Sequence, residues 1–155
     1  MKHTNTLPDI QILNDIANEL KRTAEIYHKA ATHVNESVVA EELESVASTR
    51  ERFLEQLLDE ANKHGKEELE ISSNPDLQRQ VELILGNLLV TQNVPRILKA
   101  CSASDDQLIK EYAKHLEHEQ MRDETKILLN EQYNSVLELQ RSLEERIEKY
   151  PWFSE

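Results

Sequence analysis

The stretch VAEELESVASTRERFLEQLLDEA, residues 39–61, decides the fold, because it reads as one long helix with an arginine on the middle of its apolar stripe. At about 100° per residue, Val39, Leu43, Val46, Leu54, Leu57 and Ala61 all fall within about 40° of Arg50. A second stretch, VPRILKACSASDDQLIKEYAKHL, residues 94–116, frames an acid in the same way: Val94, Leu98, Cys101, Ile109, Tyr112 and Leu116 surround Asp105. An unpaired guanidinium out of water costs several kcal/mol, and a carboxylate from a facing helix removes most of that cost. The two stretches therefore predict each other as partners, with a polar core inside a helical bundle.

Outward from these segments, Thr6, Pro8 and Asp9 read as a helix start. The stripe Leu13, Ile16, Ala17, Leu20, Ala24, Tyr27, Ala31 and Val34 carries a first helix to about Val34. Asn35 breaks it, and a second helix runs from about Glu36 to His64, closed by Gly65. After a polar connection, Pro75 and Asp76 open a shorter apolar helix through Leu77, Val81, Ile84, Leu85, Leu88 and Leu89 that ends near Asn93. At roughly 17 residues it would span about 25 Å, a bundle length. It therefore reads as a crossover that makes the second and third main helices parallel. The third runs from about Val94 to Glu119, and a short turn leads to the fourth, about Asp123 to Lys149, which ends before Pro151. The expected fold is all-α: an up-down-down-up four-helix bundle with an additional crossover helix, one domain over residues 1–155. On this register Arg50 and Asp105 differ in height by about 5 Å, within reach of an arginine side chain.

Composition agrees. The chain has 155 residues, 2 glycines, 4 prolines and 31% charged residues, which suits helices joined by few connections. Its 30 acidic and 18 basic residues give a formal charge of -12, which repels phosphate backbones and anionic membranes, so nucleic acid and membrane are not expected partners. The first residues lack the apolar run of a signal peptide, and no stretch reaches the roughly 20 apolar residues of a membrane span; a cytoplasmic location is expected. Cys101 is the only cysteine, which excludes an internal disulfide and suggests a packed thiol.

Five segments carry a family resemblance: LNDI at 13–16, AEIYHKAA at 24–31, ASTRERFLEQL at 47–57, ACSASDDQLIKEY at 100–112 and NEQYNSVLELQRSL at 130–143. In order and spacing they are similar to an uncharacterised bacterial ferritin-like family, a domain of unknown function. The positions that match are Tyr27, Arg50, Cys101, Asp106, Leu108, Tyr112 and Gln132. The resemblance implies a four-helix ferritin-like bundle and assigns no reaction. Where relatives tend to carry Glu and then His on the third and fourth helices, this chain has Asp105 and Gln140.

A di-iron carboxylate centre needs inward Glu ligands and Glu-x-x-His pairs. The one such pair, Glu25 with His28, lies about 140° and 80° from the stripe of its helix, and Arg50 stands where a cation would repel a metal. The expected polar core is instead Arg50, Asp105, Tyr27, Tyr112, Gln132 and Gln140, hydrogen-bonded together, with Tyr133 a further hydroxyl. Glu111, His115 and His118 on one flank of the third helix are surface-metal candidates, read as a solvated charged face, and Glu60 with His64 is a weaker pair. Nucleophile–base pairs, phosphate-binding glycine loops and paired-thiol knuckles are missing from the sequence. The aromatic tail, Tyr150 to Phe153, is expected to cap the bundle or anchor a partner subunit. The expected function is therefore a non-catalytic interaction or structural protein without a cofactor, self-associating, with a dimer the first guess. The alternatives are a di-iron or di-manganese oxidase or iron-handling protein, and a binding module for a small polar or anionic ligand anchored by Arg50.

Overall fold

The computed structural model describes residues 6–64, 76–117 and 121–150, with the side chains of 6–9 and 64 excepted. Among these residues the chain is all-helical: α1 (Thr6–His33), α2 (Ser37–His64), α3 (Leu77–Thr91), α4 (Val94–Ser104), α5 (Asp106–Leu116) and α6 (Asp123–Glu148). The roles expected of Gly65, the 66–74 connection, Pro75, His118 and the aromatics at 152 and 153 lie outside the described residues.

Residue pairs fix how the helices run. His28 meets Glu44 across α1 and α2, and Tyr27 and Asp15 of α1 meet Asp105 and His115, so both neighbours run antiparallel to α1. Along α6, Gln140 meets Ser102 and Gln132 meets Tyr112, again antiparallel. Arg146, Gln132 and Thr125 of α6 meet Glu42, Phe53 and Glu60 of α2 in the same sense. Helix α3 runs the other way, parallel to α1 through Gln78–Glu25 and Lys29–Glu82. It buries Leu77, Val81, Leu85 and Leu89, one side chain every turn or so, in one apolar cluster with residues of α1, α2, α4 and α6.

The apolar interior falls into two clusters. One takes residues 26–34 of α1, 39–47 of α2, α3, 97–101 of α4 and Leu143 and Ile147 of α6. The other takes 12–20 of α1, 53–61 of α2, Leu108 and Tyr112 of α5, Met121, and Leu129 and Val136 of α6. Thr23, Arg50, Asp105 and Gln140 fall at the gaps between them, one from each side of the molecule.

The expected third helix is interrupted at Asp105, and this corrects the reading of residues 94–119 as one continuous element. The Asp105 N–H turns back to the Ser102 carbonyl at 3.1 Å. Side chains supply donors to the carbonyls at the break. The Ser104 hydroxyl donates to Cys101 O at 2.6 Å, Gln140 Nε2 to Ser102 O at 3.2 Å and Arg22 Nη2 to Ser104 O at 2.8 Å. Ser side chains compete with the helix backbone for acceptors in this way, and periodicity alone gave no sign of it.

Between α3 and α4 the turn is made without glycine. Gln92 takes φ 54, the left-handed region that costs a side-chain-bearing residue roughly 1 kcal/mol. Its amide offsets the cost. Nε2 donates to His33 O at 2.9 Å and Leu89 O at 2.8 Å, while Oε1 accepts from the Asn35 N–H at 2.8 Å, which ties the end of α3 to the α1–α2 corner. Asn93 then accepts from the Arg96 N–H and starts α4. Gln92→Ala is expected to lower the free energy of unfolding in urea by about 1–3 kcal/mol, and Gln92→Gly to lose less, because glycine relieves the backbone strain.

Candidate functional site

Arg50 reaches across the interior from α2 to the α4–α5 break. Its Nη1 donates to Asp105 Oδ1 at 2.7 Å and its Nη2 to Asp105 Oδ2 at 2.9 Å, a two-point pair. Relative exposures of 1% for Arg50 and 0% for Asp105 place both charges out of water. The Tyr27 hydroxyl donates to Asp105 Oδ2 at 2.8 Å, and the guanidinium carbon lies 5.1 Å from the centre of the Tyr27 ring, so one aromatic side chain serves both charges. Burial alone would pull the Arg50 guanidinium down; the hydrogen bonds and charge of Asp105 outweigh it and hold the group above its ordinary value. Asp105 makes no capping bond to α5 because its carboxylate is committed to Arg50 and Tyr27.

The other expected core residues form separate links. The Tyr112 hydroxyl donates to Gln132 Oε1 at 2.7 Å, and Gln132 Nε2 donates to Phe53 O at 3.2 Å and Gln56 Oε1 at 2.9 Å. Tyr133 packs its ring 5.9 Å from that of Tyr112. Gln140 is half-buried and binds Ser102 O and Asp106 Oδ1, so it braces the helix break and does not contact Arg50. Thus the polar interior is a charged layer at Arg50 and a neutral one at Gln132. Gln56 lies about 120° round the helix from Arg50, outside the apolar stripe, so periodicity does not mark it and only the register of α6 brings it to Gln132.

His115 is 7% exposed, and this corrects the reading of its flank as a solvated face. The sequence pairs it with Glu111 on the same helix, whereas the structure adds Asp15 of α1, with His115 Nε2 3.2 Å from Asp15 Oδ2 and 3.2 Å from Glu111 Oε1. Asp15 is legible only after the Tyr27–Asp105 contact is known. Twelve residues before Tyr27 on α1 then lie opposite about twelve after Asp105, two residues past His115. His28 is exposed and bound to Glu44, and Glu25 meets Gln78, so the Glu-x-x-His pair does not converge. Glu60 is buried and accepts the Thr125 hydroxyl at 2.9 Å.

The mid-layer donor set does not suit a di-metal centre. It offers one carboxylate, both of whose oxygens already accept from Arg50, and a guanidinium that repels a cation. Two cavities open along the α2–α6 seam. One of about 310 Å³ is lined by Glu42, Leu43, Leu98, Leu143 and Arg146, and one of about 190 Å³ by Thr49, Arg50, Ser135 and Val136; Ser45, Val46 and Leu139 line both.

Burial raises the Cys101 thiol, as does the charge of Asp105, against the pull of Arg50. Burial raises Tyr27 and Tyr112 too. The folded chain therefore keeps these protons after the unfolded chain has released them. Their contribution to stability is complete below the unfolded pKa and declines as pH rises above it. From an ordinary thiol value of about 8.5, Cys101 alone is expected to remove about 1.4 kcal/mol by pH 9.5, with a steeper fall above about pH 10 as the tyrosines join. Urea unfolding of wild type and Cys101→Ala across pH 7–11 measures this; in the variant the decline should begin only near pH 10, and its slope above that pH should stay shallower than wild type by about 1.4 kcal/mol per pH unit.

A family model described as Domain of unknown function (DUF2383) matches residues 9–119. That span holds Tyr27, Arg50, Asp105 and Tyr112. No curated protein and no solved structure matches the chain.

Proposed function

We propose, from the premise that the chain belongs to the family described as Domain of unknown function (DUF2383), that it is a non-catalytic ferritin-like protein that acts by binding or assembly. In this reading α1, α2, α4–α5 and α6 are an up-down-down-up four-helix bundle and α3 is its crossover. The antiparallel pairs of α1, α4–α5 and α6, with α3 parallel to α1, support that topology. The observation that carries the functional reading is the two-point Arg50–Asp105 pair, which fills the middle of the bundle with a saturated salt bridge where a di-iron or di-manganese protein gathers its carboxylates.

The chain is proposed to hold no iron or manganese at that layer, and to self-associate, first as a dimer. Exposed Val38, Leu83, Val90 and Ile127 supply apolar surface for a contact. An acidic exterior argues against nucleic acid, and with a single buried thiol it supports a cytoplasmic setting. Among the described residues no helix is long and apolar enough to cross a membrane.

Purified without chelator, the protein is expected to carry far less than one iron or manganese per chain. Arg50→Ala is expected to lose about 3–5 kcal/mol by leaving Asp105 buried and unpaired, and Arg50→Met with Asp105→Leu to lose much less. Stoichiometric iron or manganese that survives His115→Ala and disappears in Asp105→Asn would overturn the reading, as would a double variant as unstable as Arg50→Ala.

The seam cavities favour a second reading, a binding module for a small polar or anionic ligand. Two of the five guanidinium N–H groups serve Asp105, and Arg50 lines the smaller cavity. A thermal-shift series of small carboxylates and phosphates tests it: a rise in Tm lost in Ser45→Trp, which fills the shared part of the cavities, supports ligand binding, and a flat series excludes those classes.

A further inference from the structure

Away from the Arg50 layer, Asp15 on α1 and Glu111 and His115 on α5 bring three metal-ligating atoms within 4.8 Å of one another, the one such group among the described residues. We propose that this trio is a site for a single divalent transition-metal ion, zinc the best match, bound by His115 Nε2 and one oxygen each from Asp15 and Glu111, with water completing the shell.

The spacing fits the chemistry. Ligand atoms about 2.0–2.2 Å from a tetrahedral ion stand roughly 3.2–3.6 Å apart. His115 Nε2 lies 3.2 Å from Asp15 Oδ2 and 3.2 Å from Glu111 Oε1. An imidazole with two carboxylates suits zinc better than magnesium or calcium, which prefer all-oxygen shells. Glu111 and His115, four residues apart on α5, face the same way, and Asp15 closes the group from a different helix.

The surroundings also fit. The His115 side chain is 8% exposed and so held in place, whereas that of Asp15 is 52% exposed and leaves a solvent path for the ion and its water. Gln107 Nε2 donates to Glu111 Oε2 at 3.2 Å, which orients the carboxylate and leaves Oε1 toward His115. The competing cation is Lys114, whose Nζ lies 3.3 Å from Glu111 Oε1 on a side chain 59% exposed, so it can swing into water when an ion arrives. The site bridges α1 and α5 on the far side of the charged layer from α3, and is separate from the position a di-metal centre would take.

Calorimetric titration of the full chain, stripped with chelator and dialysed, is expected to show one zinc per chain with a dissociation constant in the micromolar range, and no response to magnesium. Asp15→Asn, on a half-exposed side chain, keeps the fold and is expected to weaken zinc roughly tenfold or more, as is His115→Gln. The Arg50→Met, Asp105→Leu chain is expected to bind zinc as wild type does, which separates this site from the middle of the bundle. Absence of saturable zinc binding overturns the proposal, and so does binding that Asp15→Asn and His115→Gln leave unchanged.

Discussion

The buried ion pair between Arg50 and Asp105 sets the terms for the rest of the molecule. Two full charges out of water are tolerable only with good geometry and further hydrogen bonds, and the neighbouring elements are arranged to supply both. Tyr27 donates to the carboxylate and lays its ring against the guanidinium. The chain breaks its helix at Asp105, and Arg22, Ser104 and Gln140 donate to the carbonyls at the break. The helix interruption, the neighbouring serines and the amide on α6 thus belong to one device for holding a charge pair in an apolar interior.

The pair itself is readable from sequence because a charged side chain of each sign sits on the midline of an otherwise apolar stripe, and desolvation leaves such residues few options. Helix limits were readable for the same periodic reason, and α2, α3 and α6 begin and end within about two residues of where the stripes place them. What escaped depends on contacts between helices. Gln140 shares a stripe with Gln132, yet one braces Ser102 and the other binds Tyr112, and a rotation of a few tens of degrees decides between them. His115 looks solvated when its helix is considered alone. It is α1, carrying Asp15, that covers it. Nor does a helical wheel register a backbone N–H that turns to a different carbonyl, as that of Asp105 does to Ser102 O, so the break at Asp105 is invisible to it.

For function, the same pair works as a constraint on chemistry. A carboxylate saturated by a guanidinium and a phenol is a poor ligand and a poor base, and a thiol buried beside it keeps its proton. The Asp105 carboxylate and the Cys101 thiol are thus both committed within the core. Open space is met at the α2–α6 seam, where Arg50 itself lines a cavity, and at the α1–α5 edge, where His115 meets two acids.

The charged layer also divides the apolar interior into two clusters, each with residues from α1, α2 and α6 and its own share of the segments around the break. A void opened in one compartment cannot be filled by side chains of the other, because the polar groups between them have no freedom to move without losing partners. Mutational effects on opposite sides should consequently sum, while those within a compartment interact. Sequence drift can proceed in each half independently, with the layer between them as the shared fixed point.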